Sequence, residues 1–303
     1  MNLRLSLRLV PGRLETSIIA LALIRGALPN LIGPRGPSLP SDAPLVGSIN
    51  AIARSFNRSP ETVRRHVHIL ANQGFFTVAP DGVRLAPSLE AGARILDYLH
   101  GAHDNLLWLL EELDGWGLLK RSKPRKQHKT PHELLLLTAL DFRLHGFDSF
   151  YGLVNDDWVS WSLWNALSGM TVRHVTTDRE LSRTFMVQST PNDVRRPASV
   201  RALATVAGLP YATVWRHVLA MERGGYVRRV AGGYVILTEH LLTRAVETRV
   251  ALYVQNTFDR LNAVVAKGID PKAIPSLYRG GRPVLVPFGR ASSISAYTKT
   301  RFT

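Results

Sequence analysis

The sequence predicts a mainly α protein with small β-hairpins, of the α+β class, in which one structural unit occurs twice. A phrase of nine residues, TVRRHVHIL at 62–70, returns as TVWRHVLAM at 213–221, a constant 151 positions later. Several long segments carry apolar residues at helical spacing. Short strand-like runs flank an Asp-Gly dipeptide in the first half and a Gly-Gly dipeptide in the second, which indicates β-hairpins.

Composition limits the class of protein. The chain has 303 residues, 45% of them hydrophobic, which is enough for a sizeable core and two domains. It contains no Cys, so a disulfide, a thiolate metal site or a cysteine nucleophile cannot form, in keeping with a reducing cytoplasm. No stretch approaches the ~18 uninterrupted apolar residues of a membrane span. We expect a soluble protein in which SIIALALI, at 17–24, is a buried helix rather than a signal peptide.

The net charge of +15 is concentrated in three segments that contain no acidic residue. Residues 1–13, 120–129 and 271–303 together carry fifteen Lys and Arg, and the rest of the chain balances 23 basic against 23 acidic residues. Basic arms and a basic joint on a neutral body favour a polyanion partner, because each cation near a phosphate releases a counterion. The alternative is that these segments are linkers kept charged for solubility.

The repeated phrase belongs to a longer alignment of 48–85 with 199–236. No gap is needed over its 38 positions. The identical pairs are Ser48/Ser199, Ala51/Ala202, Ala53/Ala204, Thr62/Thr213, Val63/Val214, Arg65/Arg216, His66/His217, Val67/Val218, Gly74/Gly225 and Gly82/Gly233. Because the offset is close to half the chain, we interpret the whole protein as a tandem duplication.

The first copy predicts two helices followed by a hairpin. Ser48 is a favoured N-cap for a helix with one apolar face, and Ser59 caps the next, which Gly74 ends. The buried stripe of this second helix is Val63, Val67 and Leu70. The runs FFTVA and VRLA around Asp81-Gly82 predict the hairpin.

The second copy repeats this plan with two departures, and helices flank both copies. Pro210 stands in place of the capping Ser59, and Trp215 in place of Arg64. Apolar helices are predicted before the copies at about 14–27 and 132–145, and long helices after them at 89–113 and 240–266. We expect the long helices to pack the two units together, so that one chain mimics a symmetric dimer.

Helix, turn, helix and hairpin in this order form a winged helix-turn-helix. The segments SPETVRRHVHILANQGFF and PYATVWRHVLAMERGGYVRR resemble the recognition helix and first wing strand of bacterial winged helix-turn-helix regulators of the IclR, GntR and MarR-like groups. The resemblance covers about 40 residues in each half. It implies two DNA-binding winged helices flanked by packing helices.

These observations divide the chain into two halves and two basic segments. The predicted boundaries are an N-terminal half at 1–119 with a winged helix at 48–87, a basic linker at 120–130, a C-terminal half at 131–270 with a winged helix at 199–238, and a basic tail at 271–303. Residues 156–190 occur only in the second half, where Trp158, Trp161 and Trp164 share a helix face that favours core or a subunit interface over a ligand pocket. LRLSLRLV, at 3–10, and PVLVPF, at 283–288, each predict a strand.

The face of a recognition helix opposite its core stripe is the face that enters the major groove. In the first copy, Arg64 and Arg65 on that face are the best candidates to recognise bases, because Arg can donate two hydrogen bonds to guanine. In the second copy, Tyr211 and Trp215 make the face more apolar, and both a DNA contact and a protein contact remain open. The candidate DNA-binding residues are Arg58, Ser59, Glu61, Thr62, Arg64, Arg65, His68, Arg84, Tyr211, Thr213, Trp215, Arg216, Arg228 and Arg229.

Nothing in the sequence favours catalysis. It contains no Walker loop, HExxH, GxSxG or glycine-rich dinucleotide turn, and we predict no enzyme, cofactor or metal. Asp156 and Asp157 are interpreted as helix caps, and His66 and His217 as packing residues rather than ligands.

The function predicted from the sequence is a bacterial transcriptional regulator, cytoplasmic and nucleoid-associated, that binds specific double-stranded DNA with two winged helices as a pseudo-dimer. One alternative is a plasmid-type replication initiator, because those proteins also join two winged helices in a basic chain. Another is a chromosome-organising adaptor whose winged helices bind proteins. A homodimer and a small-molecule effector remain open.

Overall fold

The protein is mainly helical, with small antiparallel sheets, which confirms the α+β class in this coarse form. The computed structural model describes residues 3–33, 36–120, 131–155, 157–185 and 189–283. The predicted basic linker from 121 onward and residues 284–288 of the predicted PVLVPF strand lie outside the described residues.

The helices differ widely in length, from single turns to seven turns. In the first half they are α1 (Leu3–Leu7), α2 (Leu14–Ala27), α3 (Ile49–Ser55), α4 (Pro60–Asn72) and α5 (Leu89–Gly115). In the second half they are α6 (Pro131–Ser149), α7 (Trp158–Thr171), α8 (Arg173–Thr177), α9 (Arg179–Thr184), α10 (Val200–Ala207), α11 (Tyr211–Arg223), α12 (Thr238–Leu241), α13 (Arg244–Ala266) and α14 (Ile274–Leu277). Short 3₁₀ turns cover Leu28–Asn30 and Pro271–Ala273.

The strands form three small antiparallel sheets in the described part of the chain. They are β1 (Ile32–Gly33) with β2 (Gly36–Pro37), then β3 (Leu45–Gly47), β4 (Phe76–Ala79) and β5 (Gly82–Leu85) in the order β3-β5-β4, and β6 (Arg228–Val230) with β7 (Gly233–Val235). Within the first hairpin, Phe76 lies opposite Leu85 and Ala79 opposite Gly82.

The two aligned segments contain the same elements in the same order. The first runs through α3, α4, β4 and β5, and the second through α10, α11, β6 and β7. Each hairpin also pairs with the chain that precedes its first helix. Gly47 pairs with Val83 in the first unit and Ala198 with Tyr234 in the second, the same pair displaced by 151 positions.

The helix that packs against each unit from the N-terminal side matches the prediction only in the first half. There, α2 covers the predicted 14–27 and packs on α4. The predicted 132–145 lies within α6, which packs between α5 and α13 instead, and α7 packs against α10 and α11. The sequence pattern of α6, LLLLTAL, presents apolar residues all round, which suits a helix enclosed between two long ones.

The aromatic prediction for α7 is confirmed, because Trp158, Trp161 and Trp164 are all buried. Phe150 stacks on Trp161 with ring centroids 4.6 Å apart, and the Trp164 Nε1 donates to the Tyr226 carbonyl at 3.2 Å. These rings therefore pack as core and join α7 to the second unit.

Residues of both predicted halves contribute to one hydrophobic cluster, which extends from Leu5 to Ile274. The predicted long helices are present as α5 and as α12 with α13, and both α5 and α13 pack on α6. Contacts of α1 with α10 and of α2 with α7 join the halves on the other side. The domain boundaries therefore stay a prediction.

The strand predicted for LRLSLRLV is wrong, since residues 3–7 form α1. Alternation predicts one solvated face, but α2, α5 and α10 all contact this segment, and Leu5, Leu7 and Leu9 are buried together. Two of its polar side chains, Ser6 and Arg8, have partners in other helices. The Arg143 guanidinium donates to the Ser6 hydroxyl at 2.6 Å, and Arg8 pairs with Asp97 at 3.1 Å.

The described part of the basic tail, 271–283, lies against α5 and does not form a free arm. The backbone N–H groups of Arg279 and Gly280 donate to the Asp104 carboxylate at 2.9 and 2.6 Å. Arg282 pairs with Glu111 and Glu112, each at 2.9 Å. Part of the charge that the sequence assigns to an arm is therefore balanced by acids within the protein.

Among the described residues, no helix combines the length and the apolar character that a membrane span requires.

Candidate nucleic-acid interface

The outer face of α4 is set by its caps and by its buried stripe. Ser59 accepts a hydrogen bond from the Thr62 N–H at 3.1 Å, which starts the helix as predicted. Val63, Val67 and Leu70 are fully buried. Because 3.6 residues make a turn, burial of these three directs the opposite face of the helix into solvent.

Four of the candidate residues project from that face: Glu61, Arg64, Arg65 and His68, all of which are exposed. Arg64 forms an ion pair with Glu61 at 2.9 Å, one helical turn away. Among the described residues, Arg65 makes no ion pair or side-chain hydrogen bond. The Thr62 hydroxyl contacts the Ser59 hydroxyl at 2.8 Å. Both lie at the N-terminal end of the helix, where backbone N–H groups favour anions.

The structure does not support Arg58 as a DNA contact. Its guanidinium lies over the rings of Tyr151 and Trp158, at 4.4 and 4.5 Å from their centroids, and donates to the Tyr151 hydroxyl at 2.7 Å. Glu15 lies 3.8 Å from it, and only 18% of the side chain is exposed. The Arg58 side chain therefore holds the turn of the first unit against the second half of the chain.

The hairpin of the first unit carries one arginine, Arg84, and that arginine has partners. Its guanidinium pairs with Asp81 at 2.5 Å and donates to the Ala43 carbonyl at 3.1 Å. The side chain is still 38% exposed. Arg84 stays a candidate for phosphate contact, at the cost of exchanging these partners.

The outer face of α11 is more aromatic than that of α4, because Trp215 stands in place of Arg64 and Tyr211 in place of Pro60. Tyr211 is 52% exposed, Trp215 is partly buried, and their rings lie 8° from parallel with centroids 6.3 Å apart. Arg216 is exposed, and Thr213 is half-buried. Ser199 caps α10 by accepting from the Ala202 N–H at 3.1 Å, whereas Pro210 supplies no side-chain cap to α11.

The hairpin of the second unit is strongly basic. Arg228 and Arg229 are both exposed, and Arg228 has only a loose contact with Glu239 at 4.0 Å. Over 199–236 the unit contains five arginines and a single acid, Glu222. That acid accepts a hydrogen bond from the Tyr234 hydroxyl at 3.3 Å. The surface of this unit therefore attracts anions.

The two repeated histidines pack as predicted, each against a helix outside its aligned segment: His66 on α2 and His217 on α7. His66 is 6% exposed, and its Nδ1 lies 2.9 Å from the Thr16 hydroxyl on α2. His217 has its Nδ1 2.9 Å from the Ser160 hydroxyl on α7 and 2.8 Å from Asp157. Hydroxyl and histidine thus recur at the same place in both units.

Asp157 caps α7, as the sequence predicts, and also binds His217. Its carboxylate accepts from the N–H groups of Val159 and Ser160 at 3.0 and 2.9 Å. Burial raises the pKa of this carboxyl, but hydrogen bonds from His217 and Ser160 outweigh burial and lower the pKa to about 2. Asp157 is therefore ionised near neutral pH, and its role is structural.

Most identical pairs of the repeat have a structural role. Ser48 and Ser199 cap helices, the valine pairs are buried, and Gly74 and Gly225 end α4 and α11 at φ of 73° and 75°. Gly82 and Gly233 lie against the carbonyls of residues 47 and 198, where a Cβ would not fit. Arg65/Arg216 is different, because both side chains are exposed and lack a partner in the described part of the chain.

The structure adds one residue that the sequence analysis missed. Arg201, on α10, lines an open concavity of about 340 Å³ together with Thr205, Leu209 and Tyr211. Arg201 is exposed and forms no ion pair with any described residue. The sequence does place an arginine on the outer face of the first helix of this unit. Its neighbours in the concavity come from the turn and from α11, so the sequence pattern of α10 alone does not indicate the site.

Comparison with known proteins identifies no relative. No family model, no curated protein and no solved structure matches this chain. The described residues contain no group of three or more His, Cys, Asp or Glu placed to hold a metal ion. The geometry of the two units is therefore the basis for any functional assignment.

Proposed function

We propose that the protein is a sequence-specific, double-stranded DNA-binding transcriptional regulator built from two duplicated winged helix-turn-helix domains. The observation that carries the proposal is the pair Arg65 and Arg216. Both arginines occupy the same position on the outer faces of α4 and α11, exposed and without a described partner. An exposed, unpaired arginine at this place on a recognition helix suits a contact with DNA.

Several structural correspondences between the two units support the duplication on which the proposal rests. The pairing of the wing with the preceding chain recurs at the offset of 151 positions, and so does the close approach of a wing glycine to a carbonyl. The histidine-to-hydroxyl contact recurs as well, at 2.9 Å in both units. The hairpin pairing and the glycine approach are local to each unit and recur at the same offset, so they support two domains of one kind; the hydroxyls that the histidines contact lie outside the aligned segments, on α2 and α7.

The two domains contribute unequally to base recognition in this proposal. On α4, Arg65 is free to donate to guanine, and Arg64 can exchange Glu61 for a base or a phosphate. On α11, Trp215 replaces Arg64, so Arg216 and the wing arginines Arg228 and Arg229 supply mainly phosphate contacts.

Contacts between the halves support binding by one chain as a pseudo-dimer. Phe56 and Arg58, in the turn of the first unit, pack on Trp158 at the start of α7. The cap of α7, Asp157, in turn contacts His217 on α11. A continuous set of contacts therefore joins the two DNA-facing helices, and we expect one chain to protect a single continuous DNA segment.

The test begins with selection of a preferred duplex from a random library by the purified full-length chain. Arg65→Ala is expected to weaken binding to that duplex roughly 5- to 150-fold and to relax preference at individual bases. Arg216→Ala is expected to cause a smaller loss that is alike for all sequences and to reduce the salt slope by about 1.

Two arginines outside both units provide matched controls. Arg244, on α13, is exposed like Arg65, and Arg94 pairs with Glu90 on its own helix as Arg64 pairs with Glu61. Neither Arg244→Ala nor Arg94→Ala should change base preference. A selected library without a preferred sequence, or Arg65→Ala binding like the controls, would overturn the proposal.

A further inference from the structure

The concavity between α10 and α11 has a chemistry that the duplex-binding proposal does not use. It is open, has a volume of about 340 Å³, and is lined by Arg201, Ala204, Thr205, Gly208, Leu209 and Tyr211. This volume lies at the lower end of the range for small-ligand sites, roughly 300–1,000 Å³. It suits one base with its sugar, and it is too small for a duplex.

An aromatic platform forms one wall of this concavity. Tyr211 is 52% exposed, and the Trp215 ring lies nearly parallel behind it, with an angle of 8° between the planes. Trp215 also packs on the core, which holds the two rings in place while Tyr211 stays exposed. A flat, exposed ring of this kind gains most from a flat partner that stacks on it.

The surroundings of the platform are positively charged. The second unit has five arginines and one acid, and Arg201 lines the concavity itself. A flat partner that carries negative charge fits both properties at once. A nucleotide has this chemistry, because its base stacks and its phosphate pairs with arginine.

The base must come from an unpaired strand. In a duplex the faces of each base are covered by its neighbours, and only the base edges reach the grooves. Tyr211 would therefore gain little from paired DNA, whereas an unstacked base exposes the face that an aromatic ring needs.

We propose that the second unit binds single-stranded DNA, holding one unpaired base on Tyr211 in the concavity beside Arg201. This inference rests on the proposed function, since it assumes that the units bind DNA. It adds a second ligand to one of the two units: α4 recognises paired DNA, and α11, which contacts duplex phosphates through Arg216, also captures on Tyr211 a strand that has separated from its complement. The replication-initiator alternative would make direct use of both ligands.

The experiment compares three DNA probes: the selected duplex, the same duplex with a central bubble of unpaired thymines, and the thymine strand alone. Tyr211→Ala should weaken binding to the bubble and the single strand roughly 5- to 150-fold, the equivalent of one base–aromatic stack, and leave duplex binding unchanged. Tyr211→Phe, which keeps the ring, should bind like the original protein. Arg201→Ala should weaken binding to the single strand and leave binding to the duplex unchanged.

Two further measurements separate the possible outcomes. Trp116→Ala removes another exposed aromatic residue, 43% exposed at the end of α5, and should leave binding to all three probes unchanged. A single strand carrying 5-iododeoxyuridine should photo-crosslink to Tyr211, located by peptide mass spectrometry.

Loss of duplex and single-strand binding together in Tyr211→Ala would assign the ring to duplex contact and overturn the inference, and so would unchanged binding to all probes. If Tyr211→Ala keeps its DNA binding but loses the binding of a protein partner, the face would be assigned to that partner, and the inference would be overturned too. Failure of Arg65→Ala to alter duplex binding would count against the proposed function, and the single-strand results would be judged separately.

Discussion

Replacing Arg58 by alanine decides between a DNA contact, which the sequence predicts, and a structural contact between the two halves. The Arg58 side chain is 18% exposed and packs against the rings of both Tyr151 and Trp158. We expect Arg58→Ala to lower the free energy of unfolding and to leave intrinsic DNA contacts intact.

The magnitude follows from the contacts that the guanidinium makes. Its hydrogen bond to the Tyr151 hydroxyl, at 2.7 Å, is of the charged type, worth roughly 1.5–3 kcal/mol. The two cation–π contacts add about 0.5–2 kcal/mol each in isolation, but the three interactions share one group and do not add fully. We expect a loss of about 2–4 kcal/mol.

The assay is urea denaturation of the full chain, followed by tryptophan fluorescence and by circular dichroism. Tyr151→Phe removes only the hydroxyl and should cost about 1.5–3 kcal/mol, the value of the charged hydrogen bond. The double variant should cost less than the sum of the two single variants, because the hydrogen bond can be lost only once. Arg58→Lys keeps the charge without the planar group and should fall between the original protein and Arg58→Ala.

The opposite result is equally clear. If Arg58→Ala keeps its free energy of unfolding and loses DNA affinity with a lower salt slope, Arg58 is a phosphate contact. The packing of the turn of the first unit against α7 would then be wrong. The inference that the two units are joined through this turn would be wrong too.

Two further predictions concern a wing glycine and an acid-sensitive contact. Gly233→Ala should destabilise the hairpin of the second unit by about 1–3 kcal/mol, because φ is 147° and the new Cβ would overlap the Ala198 carbonyl. Gly12→Ala is the control, since Gly12 has φ 73° but nothing within 4 Å of the added Cβ. Equal losses for the two variants in urea denaturation would refute the reasoning. Burial, and then the charges of Arg279 and His103, lower the pKa of His132 to about 4. Between about pH 6.5 and 4 the unfolded chain therefore binds more protons than the folded chain, so the free energy of unfolding should fall as the pH drops through that interval. His132→Gln should flatten this dependence without abolishing it, because burial also lowers the pKa of His100; an unchanged slope would contradict the assignment.

Much of each unit follows from the sequence because it depends on neighbouring residues. Ser48 and Ser59 cap helices through N–H groups three positions away, and Val63, Val67 and Leu70 lie one turn apart on one face. Gly74 and Gly225 end their helices in a conformation that glycine adopts easily. Such interactions recur wherever the same short pattern recurs, which is why the offset of 151 positions predicts the same elements twice.

The tertiary structure decided what depends on distant partners. Arg58 is buried because Tyr151, 93 positions away, and Trp158 meet it, and Arg282 is neutralised by Glu111 at a separation of 171 positions. The segment 3–7 is a helix because three other helices cover it, and local alternation contains no sign of that. The concavity beside Tyr211 likewise exists only where α10 and α11 meet. Local pattern determines which element forms and which of its faces is apolar. The partner of a charged or aromatic side chain depends instead on how the chain packs, because packing brings together residues that are far apart in the sequence.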